Sequence, residues 1–415
     1  MAVFAAGCTS GKSNNNSASQ AATATTAQSG NTAVAPGTKG TPAQLRSRFE
    51  QFLGEHTVLA VRYMRSVVAG NPELRKALDD SLKDNTGQLA GTVESAYGGG
   101  SGSRFQRLWQ QHVDALSAYA DAVAKKDAAA RQAARDRLLA YANTHGAWMA
   151  QASKGRVQAG VAAAGVRQHV EELMRQTDVY AARNYPEAYR IERMAYEHMF
   201  TAGDAMAKAS LPPELAVGFD APPEMLRSAF AMLLGEHMQL VIDAQRATFA
   251  GPEEFKAAAA QVDANTTAIT KAMGAILGPQ KGAEFQTAWA NHIDGLMAYT
   301  TAVASKDDVA KQAAETNLDA FANRLALYFS DVVKRQLPVE PLTGAITQHD
   351  AHLINQVNAY AAKDYARAQQ MEDHGYHQML GVANTLVGAI QRTVKPALPV
   401  GGSQTGAGGT AHRPR

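Results

Sequence analysis

The sequence predicts an all-α protein made of two tandem up-and-down helical bundles, about six helices each, related by internal duplication. Three observations support this fold class. Apolar residues recur every three or four positions, as they do on one face of a helix, and no alternating β-type runs interrupt them. Long segments of sequence occur twice, in the same order. The breaks between helical segments are short, and short connections favour antiparallel neighbours.

The N-terminal segment is expected to carry a lipid anchor and a tether. Residues 1–8 end in Ala5-Ala6-Gly7-Cys8, which is similar to the cleavage site of bacterial lipoproteins, and Cys8 is the only cysteine of the 415 residues. The residues before it are too few for a full signal sequence, so we interpret 1–8 as a truncated signal with its lipobox. Residues 9–42, rich in Ser, Asn, Thr and Ala, predict a disordered tether. The alternative is a chance Gly-Cys pair in a disordered tail.

The two bundles are predicted at residues 43–209 and 225–394. Matching segments are LRSRFEQFLGEH (45–56) with LRSAFAMLLGEH (226–237), FQRLWQQHVDAL with FQTAWANHIDGL (starting at 105 and 285), and VRQHVEELMRQTDVYAARNY with ITQHDAHLINQVNAYAAKDY (166–185 and 346–365). The segment 210–224 contains four prolines and is expected to join the bundles as a linker. A Gly- and Pro-rich segment, 395–415, predicts a disordered tail.

Helix boundaries follow from the breaks in the first copy. We predict helices at 43–69, 72–96, 103–125, 127–152, 162–183 and 186–207. Asp127, Asp307 and Asp364 are suited to cap helix N-termini, and Pro186 to the first turn of a helix.

Histidines lie in the apolar stripes of several helices, which is unusual for a side chain with two polar atoms. In the first copy they are His56, His112, His169 and His198, on the first, third, fifth and sixth helices. In the second copy the matching residues are His237, His292 and His349, while Gln378 replaces the fourth histidine and His374 and His377 lie beside it. At about 1.5 Å of rise per residue the first four lie roughly 9–20 Å above a common floor, within reach of one level if boundaries shift by a turn.

Two interpretations of these histidines stay open. As core side chains, each must find partners for both nitrogens or lose about 1–3 kcal/mol per unpaired group. A transition metal bound by several imidazoles would satisfy them together, with copper, iron and zinc all suited to such ligands. Haem between two histidines is a further alternative. Glu55, Glu236, Glu192 and Glu372 are candidate second-sphere partners that would accept a hydrogen bond from a ligating imidazole, or else solvated flanking residues.

Composition and motifs disfavour several other functions. A formal net charge of +2 gives no electrostatic reason to expect nucleic acid as a partner. The sequence contains no Glu-x-x-His pair, which disfavours ferritin-like di-iron sites. It also lacks His-Glu-x-x-His, Gly-x-Ser-x-Gly and a phosphate-binding glycine loop. We therefore assign no catalytic residue and lean against an enzyme.

The Glu-His pair of the first helix, the segment LWQQHVDALSAYADAVAKKD and YEHM of the sixth helix resemble a bacterial helical repeat of surface lipoproteins. In some Gram-positive proteins that repeat lies beside copper-amine-oxidase-like N-terminal domains. The resemblance covers both copies and implies no particular activity; the second copy departs from it with YHQM (376–379). The resulting expectation is an extracytoplasmic, membrane-anchored lipoprotein whose bundles bind a transition metal. The first alternative is a cofactor-free structural or partner-binding surface module. A metal-dependent oxidoreductase, which would need an open coordination position on the metal, is the second.

Overall fold

Twelve α-helices in two sets of six account for most of the chain. The computed structural model describes residues 41–393, and in that range it contains one short 3-10 turn and no β-strand. The first half consists of α1 (Pro42–Val68), α2 (Pro72–Tyr97), α3 (Ser101–Lys125), α4 (Ala128–Ala152), α5 (Ala159–Ala181) and α6 (Tyr185–Ser210). The second half consists of α7 (Pro222–Ala250), α8 (Pro252–Leu277), α9 (Pro279–Ser305), α10 (Asp308–Val332), α11 (Val339–Ala361) and α12 (Tyr365–Thr393).

The predicted all-α class and the six helices per copy are confirmed, with boundaries within a few residues. None of the helices in 41–393 is both long enough and apolar enough to cross a membrane. Cys8, most of the tether and the C-terminal tail lie outside the described residues.

Helix ends follow local sequence. The side chains of Asp127 and Asp307 accept hydrogen bonds from the backbone N–H groups of Ala130 and Ala310, each at 2.9 Å, and so cap α4 and α10. Asp364 accepts from the N–H of Arg367 at 3.1 Å at the start of α12. These are the three predicted caps. Thr41 and Gln44 add a reciprocal capping box at α1, which fixes where the first helix begins.

Within each half, helices that follow one another in sequence pack as neighbours, and the first helix also contacts the third, fifth and sixth. The same pattern holds in both halves, so α1 and α7 are each surrounded by their own set. Helix α1 is buried on nearly every face from Leu45 to Val67. A helix in that position must satisfy every polar side chain it carries within the protein.

The two halves contact each other closely, and both belong to one compact unit. Their shared core includes Tyr196 and Tyr376, whose hydroxyl oxygens lie 3.1 Å apart. The tyrosines pack against Gly54 of α1 and Gly235 of α7. A Cβ atom added at Gly235 would lie 2.6 Å from the Tyr196 hydroxyl oxygen, and one at Gly54 would lie 2.9 Å from that of Tyr376. The glycine of each LGEH motif therefore leaves room for the tyrosines where the halves meet.

A buried ion-pair network lies at the same contact. Arg62 of α1 donates to Asp243 of α7 from Nε at 2.8 Å, and to the backbone carbonyl of Gln239 from Nη2 at 2.8 Å. It also pairs with Glu372 of α12, which accepts from Arg246 at 2.8 Å. Although burial alone lowers the pKa of the Arg62 guanidinium, the adjacent carboxylates of Asp243 and Glu372 raise it above its usual value. The network is thus a set of paired charges withdrawn from water.

Residues 210–224, expected to be a linker, are anchored to the first half. The segment contains a 3-10 turn, Pro213–Leu215, and the buried side chain of Phe219. The guanidinium of Arg46 lies 3.7 Å from the centre of the Phe219 ring and donates to the Phe219 carbonyl at 2.7 Å. The chain therefore passes between the halves along a defined path.

We predict that Arg62→Met destabilises the protein by about 3–5 kcal/mol, because it leaves Asp243 buried without its cation. Urea unfolding at neutral pH measures the change. The double variant Arg62→Met/Asp243→Leu should recover most of the loss, since it removes both charges. A double variant no more stable than Arg62→Met would contradict the assigned pairing.

Candidate metal centres

Three of the predicted histidines converge in each half. In the first half His56, His112 and His169 each offer a ring nitrogen within 4.8 Å of the others, and in the second half His237, His292 and His349 do the same. Their ring centroids are 5.1–5.7 Å apart in the first triad and 5.6–5.8 Å apart in the second. The six histidines are at most 5% exposed. We call the two groups triad 1 and triad 2.

The triads are assembled by the first, third and fifth helix of each half. In α3, the apolar stripe through Phe105, Trp109, His112 and Leu116 faces α1 and α5, so the histidine on that stripe points inward. His56 on α1 and His169 on α5 are on the corresponding inner faces. Three helices thus each contribute one imidazole, as expected for a site built in the core of a bundle.

The imidazoles lack the partners that buried polar atoms normally have. Eleven of the twelve ring nitrogens in the two triads are inaccessible to water and have no hydrogen-bond partner within residues 41–393. Each unpaired group costs about 1–3 kcal/mol. Burial also lowers the pKa of all six, that of His349 to about 3, so the rings are neutral at pH 7 and their lone pairs are free.

Aromatic rings close both triads. Trp109 packs on His56 and Trp289 on His237, both with centroids 4.7 Å apart. Tyr141 stacks on His112 at 5.1 Å, and Phe321 stacks on His292 at 4.4 Å. These walls exclude water from the imidazoles, and they restrict how far the rings can move.

The triads differ in one acidic side chain. Asp350, beside His349 in triad 2, is buried with its Oδ1 3.5 Å from Nδ1 of His292. Val170 has the same place beside His169 in triad 1. Burial raises the pKa of the Asp350 carboxyl well above its usual value, as does the neighbouring Asp319. Of the two triads, only triad 2 therefore has an adjacent carboxyl group that can orient an imidazole or balance the charge of a bound cation.

Sequence reasoning missed Asp350, Tyr141 and His145. The sequence HD at 349–350 was a usable signal, since an acid next to a stripe histidine lies at the edge of the same helix face. His145 is buried on α4 and shares a 2.8 Å hydrogen bond with the Tyr141 hydroxyl. Its spacing of four from Tyr141 would have placed it on the inner face of the fourth helix.

The structure does not bring the fourth predicted ligands into the triads. His198 is partly exposed, and its Nδ1 lies 3.0 Å from Glu172 on α5, because its face of α6 lies toward the outer edge of that helix pair. His374 packs against His352, with ring centroids 5.9 Å apart. His377 lies beside Glu55 of α1, because that face of α12 is turned toward the first half.

The four glutamates expected as second-sphere partners also lie elsewhere. Glu192 is 2.8 Å from Arg65, and Glu372 pairs with Arg62 and Arg246. Glu55 and Glu236 accept hydrogen bonds from Asn85 at 2.9 Å and Asn265 at 2.7 Å. All four face the contact between the halves, where buried cations and amides compensate their charge.

We predict that the buried histidines make metal-free protein lose stability as the pH falls below about 6.5, against the opposing effect of the buried carboxyls of Glu50 and Glu192, whose pKa values burial raises to about 8. Burial holds the folded pKa values of His145 and of the six triad histidines below the unfolded value of about 6.5, that of His145 at about 4, so only the unfolded chain gains these protons. Above pH 6.5 these histidines are neutral in both the folded and the unfolded chain and do not lower stability. Below pH 6.5 each of them lowers the free energy of unfolding by about 1.4 kcal/mol per pH unit.

Urea unfolding between pH 7.5 and 5 measures this slope. The variant Tyr141→Phe/His145→Leu copies Phe321 and Leu325 of the second half and should reduce the slope by about one proton. An unchanged slope would show that His145 is not neutral in the folded protein.

Comparison of the chain with known protein families, with curated proteins and with solved structures finds no match.

Proposed function

We propose that this protein binds a transition metal ion in each half, through His56, His112 and His169 and through His237, His292 and His349. The observation that carries the proposal is the convergence of three neutral, unpaired imidazoles at matching places in both halves. A metal with bonds of about 2.0–2.1 Å holds its nitrogen ligands about 3.3–3.6 Å apart. The triad nitrogens lie within 4.8 Å of one another, so they must approach by up to about 1.5 Å to bind one ion.

A core-only role explains these histidines less well than metal binding does. Apolar residues of similar size would fill the same space without leaving buried nitrogens unpaired. Hydrogen bonds to carbonyl groups or tyrosines would be the usual solution for core histidines, and the triads lack them among the described residues. A bound metal ion would give one nitrogen on each of the three rings a partner at the same time.

The ligand set favours copper, zinc or iron over magnesium or calcium, which prefer oxygen ligands. Triad 1 offers only neutral ligands, so a divalent ion there would carry its full charge into an apolar core. A monovalent copper ion suits that triad best. Triad 2 has the carboxyl of Asp350, which would release its proton when a cation binds and so compensate one charge, and this triad therefore suits a divalent ion. Haem is disfavoured because the third imidazole and the stacked aromatic rings take up the space a macrocycle needs.

Binding is a better description than catalysis. All six ligating side chains are buried, and Trp109 and Trp289 cover the rings. A substrate would need an open coordination position that it could reach. Holding or buffering a metal ion requires only that the ion itself can enter.

We also propose an extracytoplasmic location with Cys8 as the lipid-bearing residue. The support is the sequence Ala5-Ala6-Gly7-Cys8 followed by a Ser/Asn/Thr/Ala-rich tract. The membrane is then the partner through the lipid, and the helices act at its surface.

We predict that protein purified without a tag or chelator contains about two triad-bound metal ions per chain, measured by elemental mass spectrometry. His112→Leu and His292→Leu should each remove one ion, and the double variant should remove both. Leucine also removes two buried nitrogens, so the metal-free variants should be at least as stable as metal-free wild type.

His198→Leu is the matched control and should keep both ions, since that histidine pairs with Glu172 outside triad 1. Less than about 0.2 ion per chain after reconstitution with Cu(I) or Zn²⁺ would reject the metal proposal. It would favour the cofactor-free surface module.

We predict that Cys8→Ser, expressed in a bacterial host behind a complete lipoprotein signal sequence, appears in the soluble fraction instead of washed membranes. The lipid attached to that thiol supplies the anchor. Immunoblotting of the two fractions measures this. A mutant that stays in the membrane fraction would disprove anchoring through Cys8.

A further inference from the structure

A cleft between α1, α2 and α12 contains a second kind of ligand cluster. The cleft has a volume of about 330 Å³ and joins residues of both halves. Carboxyl groups of Glu55, Asp80, Asp84 and Asp373 line it.

Three possible ligands meet beside this cleft, and two of them, Glu55 and Asp373, line it. Nε2 of His377 lies 3.7 Å from Oε1 of Glu55 and 3.4 Å from Oδ1 of Asp373. The three donor atoms all lie within 4.8 Å of one another. Nε2 of His377 is buried and has no hydrogen-bond partner within the described chain, although it faces two carboxyl groups. Such an atom needs either a proton shared with those groups or a cation between them.

Glu55 is held in place for this arrangement. Asn85 of α2 donates from Nδ2 to Oε2 of Glu55 at 2.9 Å, and the same amide donates to the Phe52 carbonyl at 3.0 Å. The hydrogen bond from Asn85 fixes Oε2 of Glu55, and Oε1 faces His377. Second-sphere hydrogen bonds of this kind orient carboxylate ligands in metal sites.

The corresponding place in the second half provides an internal comparison. Glu236 is held by Asn265 as Glu55 is held by Asn85. Arg193 stands at the position that matches Asp373, and it donates from Nε to Glu236 at 2.8 Å. A permanent cation of the chain thus neutralises that glutamate. At Glu55 the corresponding residues are an aspartate and a histidine, which can coordinate a cation.

From this difference we infer that Glu55, Asp373 and His377 form a binding site for a divalent metal ion, distinct from the two triads. Two carboxylates and one imidazole suit Mn²⁺, Zn²⁺ or Fe²⁺. The cleft gives the ion a path to Glu55 and Asp373, with water completing its coordination. Because the ligands come from α1 and α12, the ion would link the two halves of the chain.

Binding of Mn²⁺ to metal-free, full-length protein tests the inference, since the manganese ion favours sites with several carboxylate ligands over the imidazole-rich triads. Electron paramagnetic resonance of free Mn²⁺ gives the stoichiometry and affinity. We expect one site of this kind in the wild type. Glu55→Gln and Asp373→Asn should each weaken binding by at least about 100-fold.

Two further variants separate loss of binding from loss of folding. Asp373→Arg copies Arg193 and should pair with Glu55, giving a folded protein without the Mn²⁺ site. Glu236→Gln, the matched carboxylate of the other half, should leave Mn²⁺ binding unchanged.

His112→Leu/His292→Leu should also keep the Mn²⁺ site, which distinguishes it from the triads. The inference is overturned if wild type binds no Mn²⁺, if Asp373→Arg still binds it, or if the triad variant loses it.

Discussion

The buried salt bridge between Arg62 and Asp243 is the interaction on which the arrangement of the two halves depends. It joins α1 and α7, the central helices of the two halves, at the point where both are removed from water. Separating Arg62 from Asp243 would leave two unpaired charges inside the protein. Because that is costly, the salt bridge holds α1 and α7 in one relative position. Glu372 and Arg246 extend it to α12. The contact of α1 with α7 and α12 also determines which face of α1 carries Glu55 toward the second half and which face carries His56 toward α3 and α5.

The triads follow from that placement. With one face of α1 committed to α7 and α12, its opposite face carries His56 toward α3 and α5. A residue and its neighbour in sequence point in different directions on a helix, so Glu55 faces the contact between the halves while His56 lies in triad 1. The Glu-His pair that occurs twice in the sequence is therefore best understood as two adjacent residues with different tasks. The glycine before it accommodates the tyrosines of the contact.

Much of the fold and part of the site could be predicted from the sequence. Helical spacing, the aspartate caps and the short breaks gave the twelve helices, since these signals are local. The stripes that contain His56, His112 and His169 put those residues on inner faces, and equivalent spacing did so for the second triad. Local spacing does not say what covers a face. The sixth helix of each half has neighbours in both halves, so the partners of His198 and His377 depended on a long-range contact.

The tyrosine and glycine contact between the halves escaped prediction for the same reason. The local sequence does not distinguish these residues, and only the pairing of Tyr196 with Tyr376 explains why glycine is required at 54 and 235. Asp350 and His145, in contrast, have signals in the local sequence. Both could have been found by extending the inner-face argument to every helix and to the neighbours of each stripe histidine.

Arg62 and Asp243 are separated by 181 residues, as are His56 and His237, so they occupy the same position in the two copies. Suppose that the first halves of two different chains associated in the same way as the two halves of one chain do. Arg62 of one chain would then face Arg62 of the other. Two second halves would likewise bring Asp243 against Asp243. Like charges buried together oppose such exchange by several kcal/mol. The pair thus favours the contact between unlike halves and protects a chain with two similar halves from domain swapping into the wrong dimer.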